Sequence, residues 1–327
     1  MPRLTLVLPG LRLAEPEPPV PPCAFPKLGA LLAKADVRRE TQPLEARVFA
    51  CFGFASGGFP PAAAATARID LGRANDALVR LDPVHVRADP TRLLLFDAAH
   101  FDLDAAEADG LVALLARELP ALGLVRGADP KRWYARAEAI AGCYGLSPRE
   151  MAGRALARDL PATGDQRAMQ RLLTEVQMVL HETPINQARE QRGQPPINGL
   201  WPWGGGALAA APGVPSSAFG DDVLIAGLAQ AAGITWSPVL EPDAAIAAVK
   251  RGDAIVISGA PFGAARGVPV HADLENVWCA RLASALKRGA IDGLVIAGEA
   301  ETFTLTRRAL LRFWKKAPCF VGPISAA

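Results

Sequence analysis

Histidine is scarce in this chain, four residues in 327, and tyrosine scarcer at two. The five cysteines (Cys23, Cys51, Cys143, Cys279 and Cys319) are odd in number, scattered, and never spaced as Cys-x-x-Cys. Such spacing argues against a disulfide framework or a zinc site and suits reduced, structural thiols in the cytoplasm. Long hydrophobic runs are missing too. Residues 4–8 and 254–257 are apolar but bounded by Pro, Gly or charge, well short of the ~20 residues that cross a bilayer. The opening MPRLTLVLPG reads as a first strand cut by Pro9, not as a signal peptide. Nor does one sign of charge prevail. With 35 basic and 33 acidic side chains the net charge is +2, so neither a nucleic acid nor a membrane is expected as partner. No Gly-x-Gly-x-x-Gly follows a strand, no Walker A pattern occurs, and Ser216 and Ser217 lack the Gly-x-Ser-x-Gly setting of a hydrolase nucleophile.

What the chain does have is apolar material: half its residues are hydrophobic, enough for a sizeable core. Residues 15–26, EPEPPVPPCAFP, are too proline-rich for strand or helix and read as an extended loop. Residues 47–52 and 93–96 read as strands. Helical spacing then dominates: 105–119, 130–141, 148–158 and 166–181 repeat apolar residues at that period, several opened by Asp or Ser-Pro at a capping position. Beyond the aromatic and glycine-rich loop expected at 199–206, helices at 221–232, 243–250 and 274–288 alternate with strands at 234–239 and 254–258. A strand pair at 294–297 and 302–305 and a last helix at 307–315 follow. Such alternation predicts an α/β fold, a largely parallel sheet flanked by helices, as one domain over 1–327 with a helical block at 104–182 as an insertion or subdomain.

The densest chemistry lies in HETPINQAREQRGQPPINGLWPWGGG, residues 181–206. It offers two amides (Asn186, Asn198), two guanidinia (Arg189, Arg192), two indoles (Trp201, Trp203) and three successive glycines (Gly204, Gly205, Gly206). Guanidinium forks beside rigid aromatics and bare backbone suit a small anionic ligand; a buried Trp-rich turn accounts for them equally well. The pattern Asn186, Arg189, Gly193, Asn198, Trp201, Trp203, Gly204 and Gly206, with the helix GDDVLIAGLAQAAGI after it, resembles the archaeal-type, cofactor-independent phosphoglycerate mutases. A wider set of strings, DPVHVRAD, LLLFDA, RWYAR, QMVLH, NGLWPWGGG and LTRRALLRFWKK, resembles the RpfE-type regulatory proteins of bacteria. The resemblance implies a reduced alkaline-phosphatase-like scaffold.

It also implies a test. Enzymes of that superfamily hold two divalent ions with an Asp after the first strand, an Asp-x-x-x-His and an Asp-His at strand ends, because the metals clamp the transferring phosphoryl group. Here Pro9 and Gly10, Gly259 to Phe262, and Gly298 with Glu299 stand at the corresponding places, and no Asp-His dipeptide occurs. Two Asp-x-x-His units, Asp82 with His85 and Asp97 with His100, could chelate a metal or pair as acid and base, though a structural hydrogen bond is the commoner role. His271, Asp273 and Glu275 read as capping. The expectation is a cytoplasmic regulatory or ligand-binding protein without cofactor or metal. Its pocket would be built by Asn186, Arg189, Asn198, Trp201, Trp203 and Gly204 to Gly206, with His85 and Arg87, for a small anionic metabolite or a protein partner. An active phosphomutase- or phosphatase-like enzyme with an unconventional site, and a scaffold protein with no ligand, are the alternatives.

Overall fold

The computed structural model describes residues 2–9, 11–13, 25–40, 42–54, 59–73, 76–89, 92–140, 145–152, 165–181, 183–210, 214–238, 241–257, 274–298, 300–312, 314–318 and 320–321. The expected loop at 15–26 therefore falls almost wholly outside them, as do Cys23, Cys143, Cys319, Gly10, Gly259 to Phe262, His271, Asp273 and Glu299. The fold is α/β. The chain gathers into two compact units, residues 1–56 with 210–327, and residues 57–209. The helical block expected at 104–182 lies inside the second.

In the first unit the strands are β1 (Arg3–Val7), β2 (Arg12–Leu13), β3 (Asp36–Arg39), β9 (Ser217–Phe219), β10 (Thr235–Ser237), β11 (Ala254–Ile257), β12 (Gly293–Ala297), β13 (Glu301–Thr306) and β14 (Phe320–Val321), numbered along the whole chain. Seven of them form one sheet in the order β10-β9-β11-β1-β12-β13-β3. The run from β10 to β12 is parallel, and β13 is antiparallel to both neighbours. The near-continuous apolar text of LTLV, AIVI and GLVIA is what parallel strands covered on both faces require. Helices α1 (Pro26–Leu32), α9 (Pro242–Ala248) and α10 (Cys279–Arg288) pack on the face bearing Leu4, Leu6, Val256, Leu294, Ile296 and Phe303, and α8 (Val223–Ala232) connects β9 to β10. On the other face, Arg47 of α2 (Leu44–Cys51) donates to Thr302 Oγ1 and to the Gly298 carbonyl. The residues expected as a strand at 47–52 thus belong to a helix. Burial pushes the Cys51 thiol up to about 11 and that of Cys279 up to about 12, as structural thiols require.

The second unit is built on β4 (Leu78–Asp89). Antiparallel to it run β5 (Arg92–Phe96), β7 (Trp133–Arg136) and β8 (Gly199–Gly206), and β6 (Val125–Arg126) pairs with β7. Helices α3 (Ala62–Asp70), α4 (Ala105–Glu118), α5 (Pro148–Met151), α6 (Gln166–His181) and α7 (Pro184–Gln191) complete it. The glycine-rich stretch 199–206, expected as a loop, is a strand, Pro202 being tolerated because β8 pairs with β4 alone among the named strands. Residues 130–141 form β7 and a 3-10 turn, Ala137–Ile140, in place of a helix. In the first unit, the helix expected at 307–315 is a 3-10 turn, Arg308–Leu311.

Glu275, expected to cap its own helix, caps another. Its two carboxylate oxygens accept from the backbone N–H groups of Lys27 and Leu28 at 2.7 and 2.8 Å, closing the start of α1. Charged acceptors on buried donors contribute about 2 kcal/mol. Glu275→Ala should lower stability by that amount, read as a shift of the urea midpoint at unchanged slope.

Candidate functional site

Strand β4 sorts its side chains by parity, since successive residues point to opposite faces. On the even face Arg80 and Asp82 stand side by side, both almost fully buried. Arg80 Nε donates to Asp82 Oδ1 at 2.7 Å and its Nη2 to Oδ2 at 2.8 Å. The Trp203 indole N–H adds a third bond to Oδ2 at 2.7 Å. Every close partner of this carboxyl is a donor, so a proton on it would find no acceptor. Burial pushes the Asp82 carboxyl up, but the donor set around it holds a carboxylate against a guanidinium that does not deprotonate. The guanidinium lies near the Tyr134 and Trp203 rings, 5.3 and 5.1 Å from their centroids. Tyr134 in turn donates to Asp70, which also takes two bonds from Arg132. Burial opposes ionisation of Asp70, yet these donors outweigh it and hold its carboxyl below the ordinary range. Burial also pushes the Tyr134 phenol well above its ordinary value.

The residues singled out between 181 and 206 are brought close to β4, where their polar groups bond to the protein itself. Asn186 donates to the carbonyls of Leu180 and Ile197 and accepts from the Ile197 N–H. Arg189, 0% exposed, donates from all three nitrogens: to Pro195 O at 3.0 Å, to Glu107 at 2.6 Å and to Asp102 O at 2.8 Å. Arg192, at the surface, shares Glu107. Asn198 uses its carboxamide as a peptide would, accepting from Val86 N–H and donating to Val86 O, which adds a rung beyond the last β8 pairing, Val84 with Gly199. Trp201 is buried against Val84, Leu95 and Met151 and donates to Leu146 O. Gly204 sits at φ +62, and a Cβ there would meet Ala62 Cβ at 2.9 Å, so α3 can approach only a glycine. Gly205 is buried and Gly206 takes φ +124.

On the odd face of β4, beyond the buried Val79 and Leu81, lie His85 and Arg87. Asp82 and His85 therefore do not meet, because their parity separates them. His85 Nδ1 donates to the Pro196 carbonyl at 2.9 Å, which leaves Nε2 as the free nitrogen of the neutral ring. Phe96, directly across on β5, stacks at a tilt on His85 at 5.9 Å, carries the exposed Arg87 guanidinium at 5.0 Å, and meets His100 edge-on at 5.6 Å. His100 Nδ1 bonds Asp97 Oδ1 at 2.6 Å, so the second Asp-x-x-His unit does form. Two imidazoles and a guanidinium thus surround one phenyl ring at the end of the sheet. Among the described residues no group of three or more His, Cys, Asp or Glu is placed to hold a metal ion. Arg132 and Tyr134 belong to the string RWYAR and Phe96 to LLLFDA, with no role assigned to them by the resemblance. Arg80 and Asp70 carry no motif, although Arg80-x-Asp82 on a strand already places two charges on one face.

No protein-family model matches the chain, nor does any curated protein. Among solved structures, the PH0037 protein from Pyrococcus horikoshii is 15% identical with a TM-score of 0.48, over 93% of this chain and 87% of that one. A cofactor-independent phosphoglycerate mutase from Thermoplasma acidophilum DSM 1728 is 14% identical with a TM-score of 0.43, over 93% and 89%. Likeness at this level carries no argument about activity.

Two outcomes follow from the geometry. Removing the Arg189 side chain leaves Glu107 Oε2 and two carbonyls without their donor, while Arg192 still holds Glu107 Oε1, so Arg189→Ala should cost about 3 kcal/mol of stability. Arg189→Lys should fail to restore it, as an ammonium cannot supply the planar fork. Burial, the largest influence, lowers His85 from its ordinary 6.5. The unfolded chain therefore takes up a proton at this position before the folded one does, and stability falls as pH drops below about 6.5. His85→Asn, which keeps a donor for Pro196 O, should remove that part of the pH dependence in melts between neutral and mildly acidic buffers.

Proposed function

We propose that the chain is a cytoplasmic, RpfE-type ligand-binding regulatory protein, without two-metal phosphoryl transfer, that takes a small anionic metabolite at the corner formed by His85, Arg87, Phe96 and His100. The observation that carries this reading is the contrast between two sets of cationic side chains in one unit. Arg80, Arg132 and Arg189 are bonded to protein carboxylates, whereas Arg87 is exposed on an aromatic ring between two imidazoles. A carboxylate or phosphate is the natural acceptor for an accessible guanidinium fork. Its charge also favours protonation of Nε2 on His85, so binding would take up a proton and tighten as pH falls. The Phe96 ring offers an apolar floor for the carbon part of the ligand.

The test is a melting-temperature series with inorganic phosphate and with 3-phosphoglycerate as probes. A ligand that binds only the folded state stabilises it by mass action, about 2.7 kcal/mol at a hundredfold excess over Kd. The rise should disappear in Arg87→Ala and grow between pH 7.5 and 6. No rise with either probe, or an undiminished rise in Arg87→Ala, would take the ligand away from this corner. Arg87 is exposed, so the variant should fold.

A further inference from the structure

We infer that the first unit carries a docking surface for an anionic lipid bilayer, formed by residues 307–312 and 314–316 where β13 ends. The near-zero net charge of the chain conceals a local excess. In the sequence of 307–316, RRALLRFWKK, five residues are basic and none is acidic. The segment is held in place from its inner side. Ala309 is buried in the main core of the unit and Leu310 packs against that core. Arg312 Nη1 donates to Asp36 Oδ1 at 2.5 Å and to Lys34 O at 3.2 Å, and Lys315 Nζ donates to Ala35 O at 3.0 Å, which ties the segment to the start of the edge strand β3.

The outer side is apolar and cationic together. Leu311 is 73% exposed and Trp314 68%, the two most exposed large hydrophobic side chains among the described residues. Arg307, Arg308, Lys315 and Lys316 are exposed beside them. The charge extends across a second element: a Cβ on Gly289 would lie 3.5 Å from the Arg307 guanidinium, and Gly289 directly follows Lys287 and Arg288 in the last turn of α10. Asp36 faces this surface, but Arg312 is bonded to it.

An exposed Leu and Trp rimmed by Lys and Arg match a bilayer interface. There the aliphatic side chain enters the acyl boundary, the indole rests at the headgroups, and long basic side chains reach anionic lipid. A nucleic-acid strand would use the cations and the indole but has no place for Leu311, whose exposure it would leave unexplained. Two apolar side chains alone bind weakly, so the attraction needs both signals and an anionic lipid. This surface runs against the partner expectation drawn from overall charge, which averages the whole chain.

The experiment is co-sedimentation of the full chain with phosphatidylcholine vesicles, with and without phosphatidylserine. Binding is expected only with phosphatidylserine and should weaken steeply with added salt. Arg308→Ser with Lys316→Ser should reduce the partition coefficient roughly thirtyfold, since each basic residue near such a surface contributes roughly a fivefold factor. Leu311→Ser with Trp314→Ser should also release the protein at unchanged net charge, and unaltered circular dichroism would show that both variants fold. Failure of the unsubstituted chain to sediment with phosphatidylserine vesicles would overturn the inference. So would equal binding to pure phosphatidylcholine, full retention by the Leu311/Trp314 variant, or tighter binding to single-stranded RNA than to the anionic vesicles.

Discussion

The buried pair of Arg80 and Asp82 is the constraint on which the second unit turns. Two charges lie inside it, and neither can be left there alone: removing one partner of such a pair typically costs 3–5 kcal/mol, although replacing both by apolar groups can be neutral. The value of the pair therefore lies in specification more than in net stability. Asp82 bonds Trp203 of β8, and Arg80 lies beside the Tyr134 ring of β7, so the pair locks β4 against two strands at once. A slip of one residue would turn both charges into the face now occupied by Val79, Leu81 and the apolar cluster around Trp133. It would also turn His85 and Arg87 away from Phe96. The corner exists because the ion pair fixes the register.

The same strand shows how a single face can change its task. Before Pro83 the odd positions are core; after it they are the polar corner. The even positions do the reverse, passing from the ion pair to Val84 and Val86 against Trp201 and Leu95. Residues 78–84 of β4 are buried on both faces, with the charged pair among them, and 85–88 are partly or fully exposed, so no simple alternation of hydrophobic and polar residues runs through its twelve positions.

That exchange explains why the sequence is easier to read in one unit than in the other. The parallel strands of the first unit announce themselves as short apolar runs between helices of regular period, and β1, β11, β12 and β13 lie where that pattern places them. The run RVFACF, by contrast, satisfies both strand and helix; Arg47 decides it by reaching across to Gly298 and Thr302, a contact no local window contains. Glycine and proline made β8 look like a loop, since the strand that it pairs with lies more than a hundred residues earlier. Asp129-Pro130 imitated a helix start ahead of WYAR, whose aromatic residues are needed by β4. Long-range pairing overrode local signal in each case.

The site was legible by residue type and less so by role. Asn186, Arg189, Asn198, Trp201, Trp203 and Gly204 lie around β4, and their polar groups or bare backbone are taken up by the protein itself. Asn186 fastens residues 195–198 to α7, Asn198 extends a ladder, Trp203 completes the carboxylate's donor set, and Gly204 admits α3. A fingerprint made of such residues is selected by packing and register, and two chains can share it while differing in every group that meets a ligand. The resemblance in this stretch is thus a statement about how β4, β7 and β8 are assembled. Under the reading proposed above, recognition falls to side chains that this frame leaves accessible, such as Arg87 on the Phe96 ring.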